Sequence, residues 1–195
     1  DRNKDGAGDE VVTIATGLKA PNGIAFKDGI LYVAEQHRII RYFAPEFDIE
    51  RQFPPGVIFD RLPDKFAHGW RYAGIGPDDK LYVAVGAPCN ICDPEGIEGS
   101  IIRMELDGRN MEVYASGIRN SVGFDWHPVT GELFFTNNGA DMLGDDVPPD
   151  TLLHAPKPGL FFGFPYVASA GSDVVSPGYE GKKPPVPIAP AVHNF

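Results

Sequence analysis

Three stretches of this chain are written to one plan. Residues 22–35 (NGIAFKDGILYVAE), 72–86 (YAGIGPDDKLYVAVG) and 122–139 (VGFDWHPVTGELFFTNNG) each hold an apolar strand, a turn carrying Asp or Pro with Gly or Asp, and a second alternating strand. Leu31, Leu81 and Leu133 occupy the same place in the three units, so the repeat is 50 residues (81 minus 31) and then 52 (133 minus 81). A period of ~40–50 residues with a hairpin inside it is the signature of a β-propeller blade. The turns suit that reading: KDG at 27–29 and PDD at 77–79 supply residues that tolerate tight-turn dihedrals. A third strand follows in each unit, at 38–43, within 99–108 and at 151–155, and the first two share Ile-Ile-Arg. Hairpins of an ordinary β-sandwich are the plain alternative.

Composition agrees with many short strands. Gly (23) and Pro (19) make up about a fifth of the 195 residues, and no stretch sustains a 3.6-residue apolar period over three turns. The fold class predicted is an all-β propeller with almost no helix. At ~50 residues per blade the chain supplies three full blades and part of a fourth. Propellers close into rings of about four to eight blades, so this is a partial ring, completed by further blades of a longer protein or by a partner chain. The division expected is a polar segment at 1–10, blades over 11–177, and a Pro-rich connector at 178–195 that ends without a closing strand and runs toward missing blades.

Charge removes one function class. With 17 Lys+Arg against 27 Asp+Glu the net charge is −10, the wrong sign for a partner that must neutralise phosphates. No apolar run approaches the ~18 residues of a membrane span. The first ten residues, DRNKDGAGDE, are polar, so no leader is visible and the chain is either cytoplasmic or relieved of one.

Two stretches carry a family likeness: FAHGWRYAGIGPDDKLYVAVGAPCN (66–90), and SGIRNSVGFDWHPVTGELFFTNNGADMLGDDVPPDTLL (116–153) followed by FGFPY (162–166). Together they resemble the glucose/sorbosone dehydrogenases, soluble six-bladed propellers that use pyrroloquinoline quinone (PQQ) with calcium. HGW and VGAPCN bring the sorbosone-type branch closer. The resemblance spans about Gly17 to Tyr166 and implies a periplasmic or secreted oxidoreductase acting on a sugar or aldehyde, with the electron acceptor left open. It implies that His68 takes the hydroxyl proton as hydride leaves for the quinone, a role suited to an imidazole with a pKa near ~6.5. Arg119 and Asn120 would face the cofactor and steady charge on the quinone oxygen. Trp70 of the HGW motif would join them in binding the cofactor, although packing is the ordinary role of such a residue. Gly139 and Ala140 would offer backbone carbonyls to calcium, with Asp145, Asp146 and Asp150 of the following loop in support.

The sequence also departs from the family. Glucose-type relatives place an aspartate where it orients the histidine, and here Ala87 stands near that place. Either another group orients His68 or its basicity is weaker. The Lys and Arg residues that hold the quinone carboxylates come from later blades, which this chain lacks, so it carries half a site.

Other features are weaker. Cys89 and Cys92 (CNIC) lack two further ligands for zinc, and the next position, where a c-type haem site would need a histidine, is Asp93. They form a small-loop disulfide in an oxidising compartment or stay free thiols in a reducing one. The segment 1–12 spaces Asp1, Asn3, Asp5 and Asp9 like a calcium loop, but ends in Val12 where a Glu is needed. His37, His127, His154 and His193 form no metal-spaced cluster. Two other functions remain: a metal-dependent lactonase-like propeller recruiting Glu35, Asn120 and Asp145, suggested by PNGIAF (21–26), and a non-catalytic binding module.

Overall fold

The structure, a computed structural model, describes residues 2–43 and 54–195; the expected blade region 11–177 therefore includes ten positions outside the described residues. The described residues hold strands and turns and no helix, so none is long and apolar enough to cross a membrane. The strands form three sheets. The first is β1 (Gly23–Lys27), β2 (Ile30–Ala34), β3 (Ile39–Phe43) and β4 (Gly56–Phe59), in that order. The second is β5 (Ala73–Ile75), β6 (Leu81–Val85), β7 (Ser100–Met104) and β8 (Glu112–Ser116), with β12 (Leu160–Phe161) added parallel to β8. The third is β9 (Phe124–Trp126), β10 (Leu133–Asn137), β11 (Thr151–Ala155) and then β13 (Ala191–Asn194).

Apart from β12, neighbouring strands in each sheet are antiparallel, and local chemistry explains the hairpins. Lys27 pairs with Ile30 across Asp28 (φ +50°) and Gly29 (φ +72°), a two-residue turn with both residues left-handed, which Asp-Gly favours. The repeated leucines stand at or next to the start of the second strand and pair with the first: Leu31 with Phe26, Leu81 with Ile75 and Leu133 with Trp126.

Stacking of the sheets sets which strands read as continuously apolar. β6 is buried at every position, because sheet 2 lies between the other two. Alternate residues serve alternate neighbours. Leu81, Val83 and Val85 pack with Tyr32, Ala34, Ile39 and Phe59 of sheet 1, while Tyr82 and Ala84 pack with Phe124, Leu133 and Phe135 of sheet 3. β10 has only one covered face, and alternates: Leu133, Phe135 and Asn137 are buried and Phe134 and Thr136 are not. Close approach also needs glycine. A Cβ on Gly23 of β1 would stand 2.3 Å from the Arg71 carbonyl oxygen, so the innermost strand of sheet 1 reaches sheet 2 only because that position is bare.

The three sheets are not closed into a ring. The face of sheet 1 turned away from sheet 2 carries Ile24, Phe26, Leu31, Val33, Ile40, Tyr42 and Val57 in cross-strand register, and Ala15 and Leu18 cover only part of it. The tail differs from the sequence expectation. Residues 178–190 have no strand, but Ala191–Asn194 pair with β11 as the fourth strand of sheet 3, so 178–195 is not simply a connector. The tail also docks on the loop after β6, where the Tyr179 hydroxyl donates to Asp93 Oδ1 at 2.9 Å. At the other end, Asp5 and Asp9 are engaged in local hydrogen bonds, with Ala7 N and with Arg2 N.

Candidate functional site

His68 lies in the turn before β5, in a left-handed conformation (φ +48°) that is uncommon for a residue with a Cβ. Its Cβ and carbonyl rest against the bare backbone of Gly86, where an added Cβ would fall 2.4 Å from the His68 Cβ and 2.9 Å from Asn120 Oδ1. That glycine is therefore the point on which His68 and Asn120 converge. The His68 Nδ1 lies 2.6 Å from the Ala87 carbonyl oxygen. A carbonyl only accepts, so Nδ1 carries the proton and Nε2 is the basic nitrogen. Ala87 thus answers the question its identity raises: its main chain orients the imidazole in place of a carboxylate. Burial holds the His68 pKa below its ordinary value; the Ala87 carbonyl opposes this, the Arg119 charge adds to it and Asp141 opposes it.

His68, Trp70 and Asn120 line one cavity of about 510 Å³, with Asn22, Gln36, Phe66 and Tyr72 among its other walls. Its character is one of amides and aromatic rings, and among the described lining residues there is no Lys, Arg, Asp or Glu. Trp70 is 71 % exposed and Phe66 96 % exposed, so their rings are open to a ligand rather than spent on packing.

Arg119 does not line this cavity. Its guanidinium is buried, with Nε donating to Asn90 O (3.0 Å) and Nη2 to Asn90 Oδ1 (2.8 Å) and Asp141 Oδ2 (2.6 Å). Nη1 reaches only Asn138 O, at 3.5 Å. Its backbone is tied to the histidine, because Ala87 N donates to Arg119 O at 2.8 Å. One peptide unit on each side of Ala87 thereby joins His68 to the Arg119–Asn120 segment.

That segment is fixed from below by Asn137, at the end of β10. Asn137 is buried, and its Oδ1 accepts from both Arg119 N (3.0 Å) and Asn120 N (3.2 Å). Its Nδ2 donates to Ser169 Oγ (3.1 Å) and Thr151 Oγ1 (3.4 Å), so every polar position of this amide is used. Asn90 is a second hub, also accepting from Asp141 N at 2.7 Å and donating to Asp141 O at 2.9 Å. It stands inside the four-residue loop closed by the Cys89–Cys92 disulfide. Sequence reasoning missed Asn90, Asn137 and Asp141. The Asn90 and Asp141 stretches are 51 residues apart in sequence, and no local pattern announces a contact of that range.

The candidate calcium residues lie on the loop after β10 and do not line the cavity, although Asn138 beside Gly139 accepts from the cavity-wall residue Asn120. Gly139 and Ala140 are buried, whereas Asp145 and Asp146 are exposed. Asp150 is the acidic residue that reaches Gly139, accepting from its backbone N at 2.8 Å. Among the described residues no three His, Cys, Asp or Glu side chains stand close enough to hold a metal ion, so a cation at this loop would depend on backbone carbonyls. Glu35 does not line the cavity either; it is buried in an ion pair with Arg38 and accepts from Lys19 N at 2.6 Å.

Comparison with known proteins places the fold. No protein-family model matches the sequence. An uncharacterized protein of Borreliella burgdorferi is 33 % identical over 185 residues, which is 90 % of this chain and 48 % of that protein. The chain thus spans about half the length of the curated relative it matches. Among solved structures, a Trichoderma reesei carbohydrate-active enzyme of family AA12, in its calcium structure, superposes with a TM-score of 0.66 at 18 % identity, over 81 % of this chain and 47 % of that one. The holo PQQ domain of Coprinopsis cinerea pyranose dehydrogenase gives 0.62 at 13 % identity, over 83 % and 58 %. A Thermus thermophilus putative oxidoreductase (glucose dehydrogenase) gives 0.51 at 21 % identity, over 93 % and 71 %. At these identities the likeness is one of fold, shared with sugar-dehydrogenase structures.

Proposed function

We propose that the three sheets are consecutive blades of a β-propeller whose remainder lies outside this chain, and that the protein is a sugar dehydrogenase of the PQQ-dependent glucose/sorbosone type. The observation that carries the reading is the Ala87 carbonyl on His68 Nδ1, which leaves a neutral, partly buried Nε2 as the base at a cavity walled by amides and aromatic rings. The sugar-dehydrogenase and PQQ-domain folds among the structural neighbours support it.

The residues present fit the reacting end of such a cofactor. Trp70, Phe66 and Tyr72 offer ring faces to a planar quinone or to the apolar face of a sugar. Asn120 Nδ2, which donates to Asn138 Oδ1 at 3.3 Å, has a second hydrogen for an acceptor in the cavity. His68 Nε2 accepts the proton of the substrate hydroxyl, and the resulting imidazolium is held by the Ala87 carbonyl. PQQ, when bound, would supply the two-electron acceptor that takes hydride from the carbon bearing that hydroxyl. Arg119 acts on this centre by its charge and by its backbone bond to Ala87 rather than by contact. Gly139 and Ala140 carbonyls would hold calcium, with Asp145 and Asp146 as solvent-side charges around it. The cations for the quinone carboxylates would come from the remaining blades. A disulfide suits a periplasmic or secreted protein.

The test is reconstitution of the full-length protein with PQQ and calcium and a dye-linked assay on aldoses and aldehyde sugars. His68→Asn is expected to lower kcat by ~10²–10⁴-fold, the ordinary contribution of a positioned base. Undiminished turnover in that variant, or no sugar-dependent dye reduction by the reconstituted wild type, refutes the reading.

A further inference from the structure

Arg71 is among the largest fully buried side chains of the protein, at 1 % exposure, and none of the hydrogen bonds it makes goes to a carboxylate. Its three nitrogens instead reach three backbone carbonyls, one just after β2 and two in the loop between β4 and β5. Nη1 donates to His68 O (3.0 Å), Nη2 to Pro63 O (2.6 Å) and Nε to Gln36 O (3.2 Å). Burying a guanidinium with no carboxylate hydrogen-bonded to it is unfavourable: burial pulls the Arg71 pKa down to about 10, the charges of Glu98 and Asp64 offset this only in part, and the group stays charged at neutral pH. An arrangement so costly calls for an account beyond packing, since an apolar side chain of like volume would fill the space without that penalty.

The account lies in what the three carbonyls belong to. His68 is the residue held left-handed, and the turn around it is tight: a Cβ on Gly69 would fall 2.6 Å from Lys65 O and 3.0 Å from Phe66 O. Gln36 is itself a cavity wall, and its Nε2 donates to Asp64 Oδ1 beside the Pro63 carbonyl. A planar fork with fixed donor directions is the side chain that can hold three such acceptors at once; an ammonium is a single point and cannot span them.

We propose that Arg71 is the positioning residue of this site: its guanidinium clamps the His68 and Gln36 main chains together, holds His68 in its left-handed turn and so keeps Nδ1 on the Ala87 carbonyl. The role rests on the reading of His68 as the base, because positioning matters to the reaction only if that imidazole takes the proton. Arg71 itself touches neither the cavity nor any reacting group.

The experiment reads the imidazole directly, in the ¹⁵N-labelled full-length protein without added cofactor. Wild type is expected to show His68 as the Nδ1–H tautomer and the Arg71 side-chain N–H protons protected from exchange. Arg71→Lys, and Arg71→Gln beside it, are expected to shift His68 toward the Nε2–H tautomer that free imidazole prefers, with native-like circular dichroism. In the reconstituted enzyme Arg71→Lys is expected to lower kcat ~10²-fold, as a displacement of about 1 Å does, with KM little changed. A His68 that keeps its Nδ1–H tautomer in a folded Arg71 variant overturns the proposal. So does a wild type whose Arg71 protons exchange freely, a result that needs no variant. The tautomer is independent of turnover, so an inactive wild type with the expected tautomer shift would sink the dehydrogenase reading while leaving the clamp standing.

Discussion

Ala87 shows how a side chain's task can pass to the backbone. A carboxylate beside the imidazole would raise its basicity through a full charge; a carbonyl fixes the same tautomer with a dipole alone. His68 therefore keeps its orientation while its pKa sits below the ordinary ~6.5, driven down first by burial. The sign of the pH dependence follows. A depressed folded value means the unfolded chain binds its proton first as pH falls, so this group's contribution to stability is present above ~6.5 and is lost as pH falls through the folded value. The base stays neutral over the same range. The acid limb of kcat/KM for the reconstituted enzyme is expected below pH ~6.5, and His68→Gln should flatten the slope of stability against pH below ~6.5. A limb above pH ~7 in a pH–rate profile would contradict the burial argument. HGW made His68 legible in the sequence, but the atoms that orient it belong to main chain, which every residue possesses and no letter distinguishes.

At the level of the strand, the three repeated leucines offer a graded test. Leu81 and Leu133 are fully buried, each in the core between two sheets, while Leu31 is half-buried on the open face of sheet 1. Leu81→Ala and Leu133→Ala are expected to destabilise by about 2–5 kcal/mol, and Leu31→Ala by clearly less, in urea denaturation. Equal losses at all three would mean that Leu31 is covered in solution. The loop after β6 makes a second test. Closing a four-residue loop removes chain entropy worth roughly 2 kcal/mol, so Cys89→Ser with Cys92→Ser should lower stability by about that amount and free Asn90 from its place on Arg119. No change on reduction would mean the loop is held by its hydrogen bonds alone. The hairpins and third strands could be read from turn chemistry and alternation. The fourth strands could not. EVYAS and AVHN are strands whose partner is chosen by the sheet they join, and the two-residue β12 extends sheet 2 by pairing on the outer side of β8.

For the molecule as a whole, the face of sheet 1 turned away from sheet 2 is the largest apolar feature left open. Ile24 is 65 % exposed, Phe26 48 % and Val57 51 %, in register with the apolar Val33, Leu31 and Ile40. A contiguous apolar face of this kind is rare on an isolated monomer. Expressed alone, this chain is expected to bind a hydrophobic dye and self-associate, and Ile24→Lys with Phe26→Lys should reduce both without loss of folding stability. Absence of dye binding by the unaltered chain would show that residues 11–22 already cover the face. The opposite boundary is different in kind: the open face of sheet 3 mixes Phe134 and His154, stacked at 4.3 Å, with Thr136 and Asp125.

The amino-acid sequence alone determined the all-β character, the fifty-residue period, the hairpin turns and the candidacy of His68, Trp70 and Asn120, because those depend on local dihedral preference, alternation and short motifs. Tertiary structure decided that Ala87 orients the histidine, that Arg119 is held by Asn90 behind the cavity, that Asp150 rather than Asp145 or Asp146 bonds Gly139, and that residues 191–194 finish a sheet. Most of these are contacts between stretches far apart in the chain, made by backbone atoms or by amides whose partners are chosen only when separate strands pack.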